Sequence, residues 1–366
     1  MKALSEPFVH GGNIYEYEAP AGGWLDFSAN INPLGMAPEV RQAIAANIDG
    51  LVHYPDPRGT ELKTALADYY GVVPEQLVLG NGAAELLYVF FHHFRPGRVL
   101  LPVPAFSEYE RAARSAHTAV EYYMLSPQDG FSILQPEFLQ QVSMAECVIL
   151  GNPNNPTGTL IPAVEMEKCI RIAALQDAVV IVDESFLDFR EDAERYSVRK
   201  LVNEYQNLVV LQSLTKFYAI PGLRLGFAIM SPGMAARMER SKDVWNVNLL
   251  AQKAGVAALQ ATAYQRASRQ LIHDEMHYLQ QSLQELDGVR VFPPSVNFLL
   301  LDLAKTGWRA ADFLAAVRRQ GILIRDCSNY PGLQDTYIRI AVRSHAENER
   351  LLRVFQKVLA RELAEV

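Results

Sequence analysis

Cysteine is scarce in this sequence. Its 366 residues include only three cysteines, Cys147, Cys169 and Cys327, and their spacing matches neither a zinc site nor a CxxC redox pair. We therefore expect three reduced thiols, no bound metal ion and a cytoplasmic location, because reduced cysteines are usual in that compartment.

The sequence also lacks long apolar runs and an excess of basic residues. No stretch approaches the roughly 20 apolar residues of a membrane-spanning helix, and no signal-peptide pattern is present. The 34 Lys and Arg residues are outnumbered by 41 Asp and Glu residues, whereas a nucleic-acid-binding protein usually has a basic face. The composition predicts no membrane or nucleic-acid partner, but a few focused arginines can still bind a small anion.

Short apolar runs alternate with helical patterns along most of the chain. Between residues 77 and 230 the runs are LVLG, RVLLP, CVILGN, VVIVDES, LVVLQS and RLGFAIM. Buried runs that alternate with helices indicate an α/β fold whose mostly parallel sheet is covered on both faces. We expect an N-terminal arm and first helix at 1–50, a large domain at 51–245, and a linking helix with a small αβ domain at 246–366.

Three local predictions concern helices and packing. Thr60 is a plausible N-cap for a helix over 60–70. A long helical stretch is expected from about 240 to 286. Trp245 is expected to pack in the core rather than to line a site.

A lysine and an acid follow two of the apolar runs. Asp183 follows the apolar residues of VVIVDES, and Lys216 comes three residues after Ser213 and eight before Arg224. Ligands of open α/β sheets gather at the carboxyl ends of the strands. A lysine amine forms an imine with an aldehyde, while Ser and Arg suit a phosphate. Taken alone, the Ser, Lys and Arg triplet could equally be three ordinary surface residues.

Three further motifs follow predicted strands. GNPNNPTG at 151–158 is a polar turn in which an Asn side chain can donate to a cofactor oxygen. LGNGAAELL at 79–87 is a turn and helix start whose backbone N–H groups can bind phosphate. A dinucleotide fingerprint would need glycine at position 85, where Glu85 stands. Phe106, in PVPAFSEY, can stack on a flat ring.

In this order, the motifs Gly-Asn-Gly, Asn-Pro-Asn-Asn-Pro-Thr-Gly, Asp-Glu-Ser-Phe, Ser-Leu-Thr-Lys and Arg-Leu-Gly resemble those of the fold-type I aminotransferase family. The resemblance covers nearly the whole chain. Within this family, the sequence is similar to the histidinol-phosphate aminotransferase branch. It implies a mostly parallel seven-stranded sheet in a large domain, a smaller αβ domain, and pyridoxal 5'-phosphate as the cofactor.

The resemblance also implies residue roles. Lys216 resembles the lysine that forms a Schiff base with the cofactor, and Asp183 resembles the carboxylate that pairs with the pyridine nitrogen. Tyr54 resembles the tyrosine that reaches the phosphate of a partner subunit in a homodimer. Phe186 stands where the family often has a tyrosine, which removes a hydrogen bond to the phenolic oxygen. The remaining cofactor contacts fall on Gly82, Ala83, Phe106, Asn155, Ser213 and Arg224.

The N-terminal arm resembles that of a smaller group of enzymes close to this branch. HGGNIYEY at 10–17 and LDFSANINPLG at 25–35 look like the threonine-phosphate decarboxylases of cobalamin side-chain synthesis. Those enzymes convert L-threonine O-3-phosphate into (R)-1-aminopropan-2-yl phosphate. Two arginines suit a substrate with a carboxylate and a phosphate, although the sequence does not say how they divide these groups. By this resemblance the substrate contacts are His10, Gly11, Asn32, Asn155, Arg325 and Arg339.

Three alternatives stay open. In the first, the N-terminal arm packs on a partner subunit and has no contact with substrate. The protein could be a histidinol-phosphate or related aminotransferase, because a small shift of the substrate anchors decides which bond at Cα breaks. A ligand-sensing domain of a transcription regulator is a third possibility, but it should follow a basic DNA-binding domain, and this sequence begins with the arm.

Overall fold

The computed structural model describes residues 10–362. Each apolar run identified in the sequence forms a strand, because its β-branched and aliphatic side chains can be buried on both faces of a sheet. In chain order the strands are β1 Leu25–Asp26, β2 Leu77–Gly80, β3 Arg98–Val103, β4 Ala119–Met124, β5 Cys147–Gly151, β6 Val179–Asp183, β7 Leu208–Ser213, β8 Gly226–Met230, β9 Arg290–Val291, β10 Phe298–Asp302, β11 Ile322–Leu323, β12 Arg325–Asp326 and β13 Tyr337–Ala341.

Helices lie between most of these strands and after the central sheet. None in residues 10–362 is both long and apolar enough to cross a membrane. In chain order the helices are α1 Pro38–Ala46, α2 Thr60–Tyr70, α3 Ala83–Phe94, α4 Ser107–Ser115, α5 Pro136–Val142, α6 Ala163–Ala174, α7 Leu214–Phe217, α8 Pro232–Glu239, α9 Leu249–Gln260, α10 Thr262–Gln284, α11 Ala310–Arg319 and α12 His345–Leu359.

The central sheet has seven strands in the order β2-β8-β7-β6-β5-β3-β4. Its neighbours are parallel except at β8, which is antiparallel to β2 and to β7. Separate clusters of buried apolar side chains lie on its two faces. The predicted mostly parallel seven-stranded sheet is confirmed. Since β6 and β7 are parallel neighbours, their carboxyl ends bring Asp183 and Lys216 to the same edge.

A second, antiparallel sheet follows in the order β12-β13-β10-β9. In its register Arg325 on β12 lies directly opposite Arg339 on β13. The N-terminal segment joins this part of the chain, because β1 pairs with β11 and the carbonyl of Phe27 accepts a hydrogen bond from the Ala341 N–H, at 2.8 Å. The domain boundaries stay a prediction.

Two predicted helix features are wrong. Thr60 begins α2 but does not cap it: the Asp56 carboxylate accepts from the Thr60 N–H at 2.7 Å, and such backbone hydrogen bonds lower the pKa of Asp56. The long helical stretch begins only at Leu249 and is broken at Ala261. There the Gln265 side-chain amide donates to the carbonyls of Ala258 and Leu259, which satisfies the end of α9.

The third local prediction, that Trp245 packs in the core, is also wrong. The Trp245 side chain is 47% exposed. Its ring stacks on that of Tyr54, with centroids 4.3 Å apart and planes 20° apart. Tyr54 is itself 77% exposed, so the two rings form a flat aromatic surface open to solvent.

Candidate active site

Lys216 lies in the short helix α7, directly after β7. Ser213 caps this helix through its hydroxyl, which accepts from the Thr215 N–H. The Lys216 carbonyl accepts from the Asn32 N–H at 3.1 Å, and the Asn32 amide donates to the next carbonyl, that of Phe217, at 2.8 Å. The N-terminal segment therefore fixes the backbone that carries the lysine.

The amine of Lys216 is buried beside an aromatic ring and close to charged side chains. Its Nζ atom lies 4.8 Å from the centre of the Phe186 ring. Burial lowers the pKa of Lys216, Asp183 partly offsets that effect, and the charges of Arg224 and Arg339 lower the pKa further. A lowered pKa leaves more neutral amine near neutral pH, which is the form that attacks an aldehyde.

Asp183 is oriented by two hydrogen bonds. The Tyr109 hydroxyl donates to Oδ2 at 2.8 Å, and the Ser185 N–H donates to Oδ1 at 3.0 Å. Burial, together with the nearby Asp183, raises the pKa of Tyr109 well above its usual value, so this hydroxyl keeps its proton. The Tyr109 ring also meets Phe106 edge-on, at a centroid distance of 5.6 Å. Tyr109 thus supports both a ring-stacking residue and the carboxylate.

Gly82, Ala83 and Arg224 form a cradle at the start of α3. Gly82 has a φ of 83°, and a Cβ atom there would lie 2.3 Å from an Nη atom of Arg224. Gly226 is equally constrained, since its Cβ would lie 2.4 Å from the Ala83 nitrogen. Backbone N–H groups at a helix start, with a guanidinium group close by, suit a phosphate. Ser213 adjoins the lysine-bearing helix α7, and its hydroxyl lies 2.7 Å from that of Thr215.

Arg325 and Arg339 are the two buried cations of the site, 4% and 5% exposed. Their hydrogen bonds go to neutral groups. Arg325 donates to Asn329 Oδ1 at 2.9 Å, and Arg339 donates to Asn155 Oδ1 and to the Ser28 carbonyl, the latter at 2.8 Å. Within residues 10–362 the Arg339 Nε atom has no hydrogen-bond partner. Two adjacent buried cations without a carboxylate create a strong preference for an anion.

The described part of the N-terminal arm begins beside these arginines. The His10 Nε2 atom and Glu108 Oε1 lie 2.9 Å apart. A Cβ atom on Gly11 would lie 2.0 Å from the Ser28 carbonyl oxygen and 3.4 Å from an Nη atom of Arg339, so only glycine fits. The structure therefore places Gly11 beside Arg339 and His10 beside Glu108, while their contact with substrate stays a prediction.

Asn32 is placed differently. Its amide nitrogen donates to the Phe217 carbonyl and to Ser268 Oγ, while its Oδ1 accepts from the Leu34 N–H. Both side-chain donors are used inside the protein, so Asn32 supports the segment that carries Lys216. Its assignment to the substrate stays a prediction.

Three residues around the site were missed by the sequence reasoning. Glu108 and Tyr109 follow Phe106 on α4, and their signal was only their place after a strand-end motif. Glu184 is fully buried beside Asp183 and accepts from Ser197 Oγ and Gln212 Nε2, at 2.7 and 2.9 Å. Burial raises the pKa of Glu184 to about 7. Its bonds join β7 to the loop after β6, which holds Asp183 in place.

Comparisons with known proteins identify the family of the chain. The family described as aminotransferase class I and II matches residues 23–355. The threonine-phosphate decarboxylase of Salmonella typhimurium is 37% identical over 356 residues, which cover 96% of this chain and 96% of that protein.

Two solved structures are similar in fold. The histidinol-phosphate aminotransferase from Clostridium acetobutylicum has a TM-score of 0.86 at 29% identity, covering 92% of this chain and 99% of the other. The L-threonine-O-3-phosphate decarboxylase from Porphyromonas gingivalis has a TM-score of 0.80 at 27% identity, covering 91% and 99%. The resemblance inferred from the motifs is confirmed, and the chain belongs to the class I and II aminotransferase family.

Proposed function

We propose that this protein catalyses the pyridoxal-phosphate-dependent decarboxylation of L-threonine O-3-phosphate to (R)-1-aminopropan-2-yl phosphate, which supplies the cobalamin side chain. The observation that carries the proposal is the pair of buried arginines, Arg325 and Arg339, opposite each other and without a carboxylate partner in residues 10–362. A substrate with a carboxylate and a phosphate matches two such cations. The 37% identical Salmonella decarboxylase supports the same substrate.

The cofactor is pyridoxal 5'-phosphate, and the residues of the site fit it. Lys216 would hold the aldehyde, Asp183 the pyridine nitrogen and Asn155 the phenolic oxygen, while Phe106 would stack on the ring. Gly82 and Arg224 would hold the phosphate, and glycine is required at position 82 because a Cβ atom there would overlap the Arg224 guanidinium group. When bound, the cofactor supplies an electron sink for the electron pair left at the substrate Cα.

The chain's own residues decide which bond breaks. Arg325 and Arg339 would hold the two anionic groups of the substrate and so fix the position of its carboxylate, and such orientation can contribute several kcal/mol. The carboxylate leaves as CO2, and Lys216 delivers a proton to Cα in its place. Tyr109 and Ser185 keep Asp183 aimed at the ring nitrogen.

The proposal predicts CO2 release without a keto acid. The purified holoenzyme should release one CO2 per O-phospho-L-threonine consumed, at the same rate with and without 2-oxoglutarate. An aminotransferase, the alternative within this family, would consume substrate only with the acceptor and would release no CO2. L-Threonine is the matched control, because loss of the buried contacts to the phosphate should lower kcat/KM by about 10²-fold or more.

We also propose that the protein is a homodimer in which Tyr54 reaches the cofactor phosphate of the partner subunit. Exposed apolar side chains cluster near it, at Leu51, Val52 and Trp245, and a contiguous apolar patch on a protein surface usually marks an interface. In analytical ultracentrifugation, Val52→Asp should shift the protein towards monomer. Val164→Asp, at an exposed position on α6, should not, and equal behaviour of both variants would contradict the assignment.

A cytoplasmic location is proposed from the cysteines. Cys147, Cys169 and Cys327 are unpaired and buried. Burial raises the pKa of Cys169 and of Cys327 to about 12, so these thiols are unreactive parts of the core. Buried reduced thiols are usual in a reducing compartment.

A further inference from the structure

Glu108 is the meeting point of three segments of the chain. Its Oε1 atom lies 2.9 Å from His10 Nε2 of the arm and 2.7 Å from an Nη atom of Arg111 on α4. Its Oε2 atom accepts from the Tyr88 hydroxyl of α3, at 3.0 Å. The Glu108 side chain is only 13% exposed, so it is not an ordinary surface acid whose ion pairs contribute little.

The charge of Glu108 is maintained by these neighbours. Burial alone would raise the pKa of Glu108, but the hydrogen bonds from His10 and Tyr88, with the charge of Arg111, outweigh burial and lower it. A carboxylate held by two further donors is a fixed acceptor for His10. The position of the His10 ring is therefore set by α4, the helix that begins after Phe106.

The other end of the short arm segment is fastened to the arginine side of the site. The Gly12 N–H donates to Ser28 Oγ at 2.7 Å, and the Ser28 carbonyl accepts from Arg339 at 2.8 Å. Gly11 lies between, pressed against that carbonyl. Residues 10–12 thus form a strap from Glu108 to Ser28, with Arg339 beneath it.

From this arrangement we infer that Glu108 is a positioning residue, which holds His10 over the site so that the imidazole can bind the phosphate of the substrate. Glu108 accepts a hydrogen bond from His10 Nε2–H, and in the imidazolium form, with both ring nitrogens protonated, Nδ1–H is left to donate to a phosphate oxygen. The anion would then be held from above by His10 and from the sheet by an arginine. The inference rests on the proposed function and adds the residue that places its phosphate contact.

The test compares KM with kcat in variants of the holoenzyme. Glu108→Ala and His10→Ala should each raise KM for O-phospho-L-threonine by about 10-fold to 100-fold, the usual effect of a hydrogen bond to a charged group, with kcat changed less than about threefold. The double variant should be no worse than either single variant, because both changes remove one contact. Glu108→Gln keeps an acceptor oxygen and should recover most of the loss.

Glu110→Gln is the matched control, since Glu110 lies on the same helix and pairs with Arg114 at the surface. It should leave KM unchanged. If the effects of Glu108→Ala and His10→Ala multiply in the double variant, or if Glu108→Ala leaves KM unchanged, the inference is wrong. Loss of visible cofactor absorption in Glu108→Ala would likewise contradict it, because that result indicates damage to α4 itself.

A second readout does not depend on the substrate. Amide hydrogen exchange of residues 10–17 should be faster in Glu108→Ala than in the unmodified protein or in Glu110→Gln. If the unmodified protein releases no CO2, the proposed function fails, while faster exchange would still support the strap. Unchanged exchange would overturn the role of Glu108 even in an active decarboxylase.

Discussion

Replacing Lys216 with alanine should reduce CO2 release from O-phospho-L-threonine by about 10³-fold or more, since a positioned proton donor alone contributes about 10²–10⁴-fold and covalent attachment of the cofactor is lost as well. The amine is placed for both tasks. It lies beside Phe186, and burial with the charges of Arg224 and Arg339 lowers its pKa. The measurements are CO2 release and the visible absorption that survives desalting. Both should fall together.

Lys168→Ala is the control for this experiment. Lys168 is a half-exposed lysine on α6 that pairs with Glu165, and its loss should change neither measurement. An alanine variant at position 216 that keeps both full activity and the visible absorption would end the assignment of the active site. A variant that keeps activity but loses the absorption would show that the lysine binds the cofactor without moving a proton.

The strand-end motifs could be predicted from the sequence, because the chemistry at those positions depends on topology more than on detailed packing. Asp183 and Lys216 each follow a strongly apolar run, and parallel strands place their carboxyl ends at one edge. Gly82 was also recognisable, since it stands in a turn before a helix start, and it adopts a positive φ that other residues rarely reach. These features made the sheet and the centre of the site visible from the residues alone.

The supporting residues could not be predicted in the same way. Tyr109 and Glu108 are neighbours on α4, yet one side chain donates to Asp183 and the other meets His10. Which neighbour each one finds depends on the angle at which α4 leaves the sheet, and no periodic pattern encodes that angle. Asn32 is a different case: its motif was recognised, but the sequence does not show that its amide is used by internal carbonyl and hydroxyl groups.

The surface was also hard to predict. Trp245 was expected in the core because a large aromatic ring usually gains free energy from burial. Instead it stacks on Tyr54 in the open. A rule based on the composition of one chain does not predict which of its surfaces a second copy would cover. We propose that a second copy covers these two rings.

The division of labour between the two arginines can be predicted from the structure. Arg339 donates to Asn155, the residue assigned to the phenolic oxygen of the cofactor, so it lies nearer the ring and should bind the carboxylate. Arg325 should then bind the phosphate. Each change to methionine should raise KM for O-phospho-L-threonine by about 30-fold or more, since removing a buried charge partner costs about 2–5 kcal/mol.

Two inhibitors separate the roles. L-Threonine carries only the carboxylate, and the product 1-aminopropan-2-yl phosphate carries only the phosphate. Arg339→Met should weaken inhibition by L-threonine with little effect on the product, and Arg325→Met should do the reverse. Equal losses for both inhibitors in both variants would show that the guanidinium groups share each anion. An exchanged pattern would reverse the assignment.

The same variants should be at least as stable as the unmodified protein when no ligand is present. Arg325 and Arg339 face each other across an antiparallel pair, where like charges are destabilising by roughly 0.2–1 kcal/mol, and replacing a buried charge with an apolar side chain of similar size is often neutral or stabilising. Thermal unfolding of the ligand-free protein should therefore show an equal or higher Tm for Arg325→Met, while activity falls. Stability that rises while activity falls is the result expected for a site that binds an anion at the expense of stability. A drop of Tm by several degrees would mean instead that Arg325 stabilises the fold. The buried arginine pair would then no longer indicate a substrate with two anionic groups.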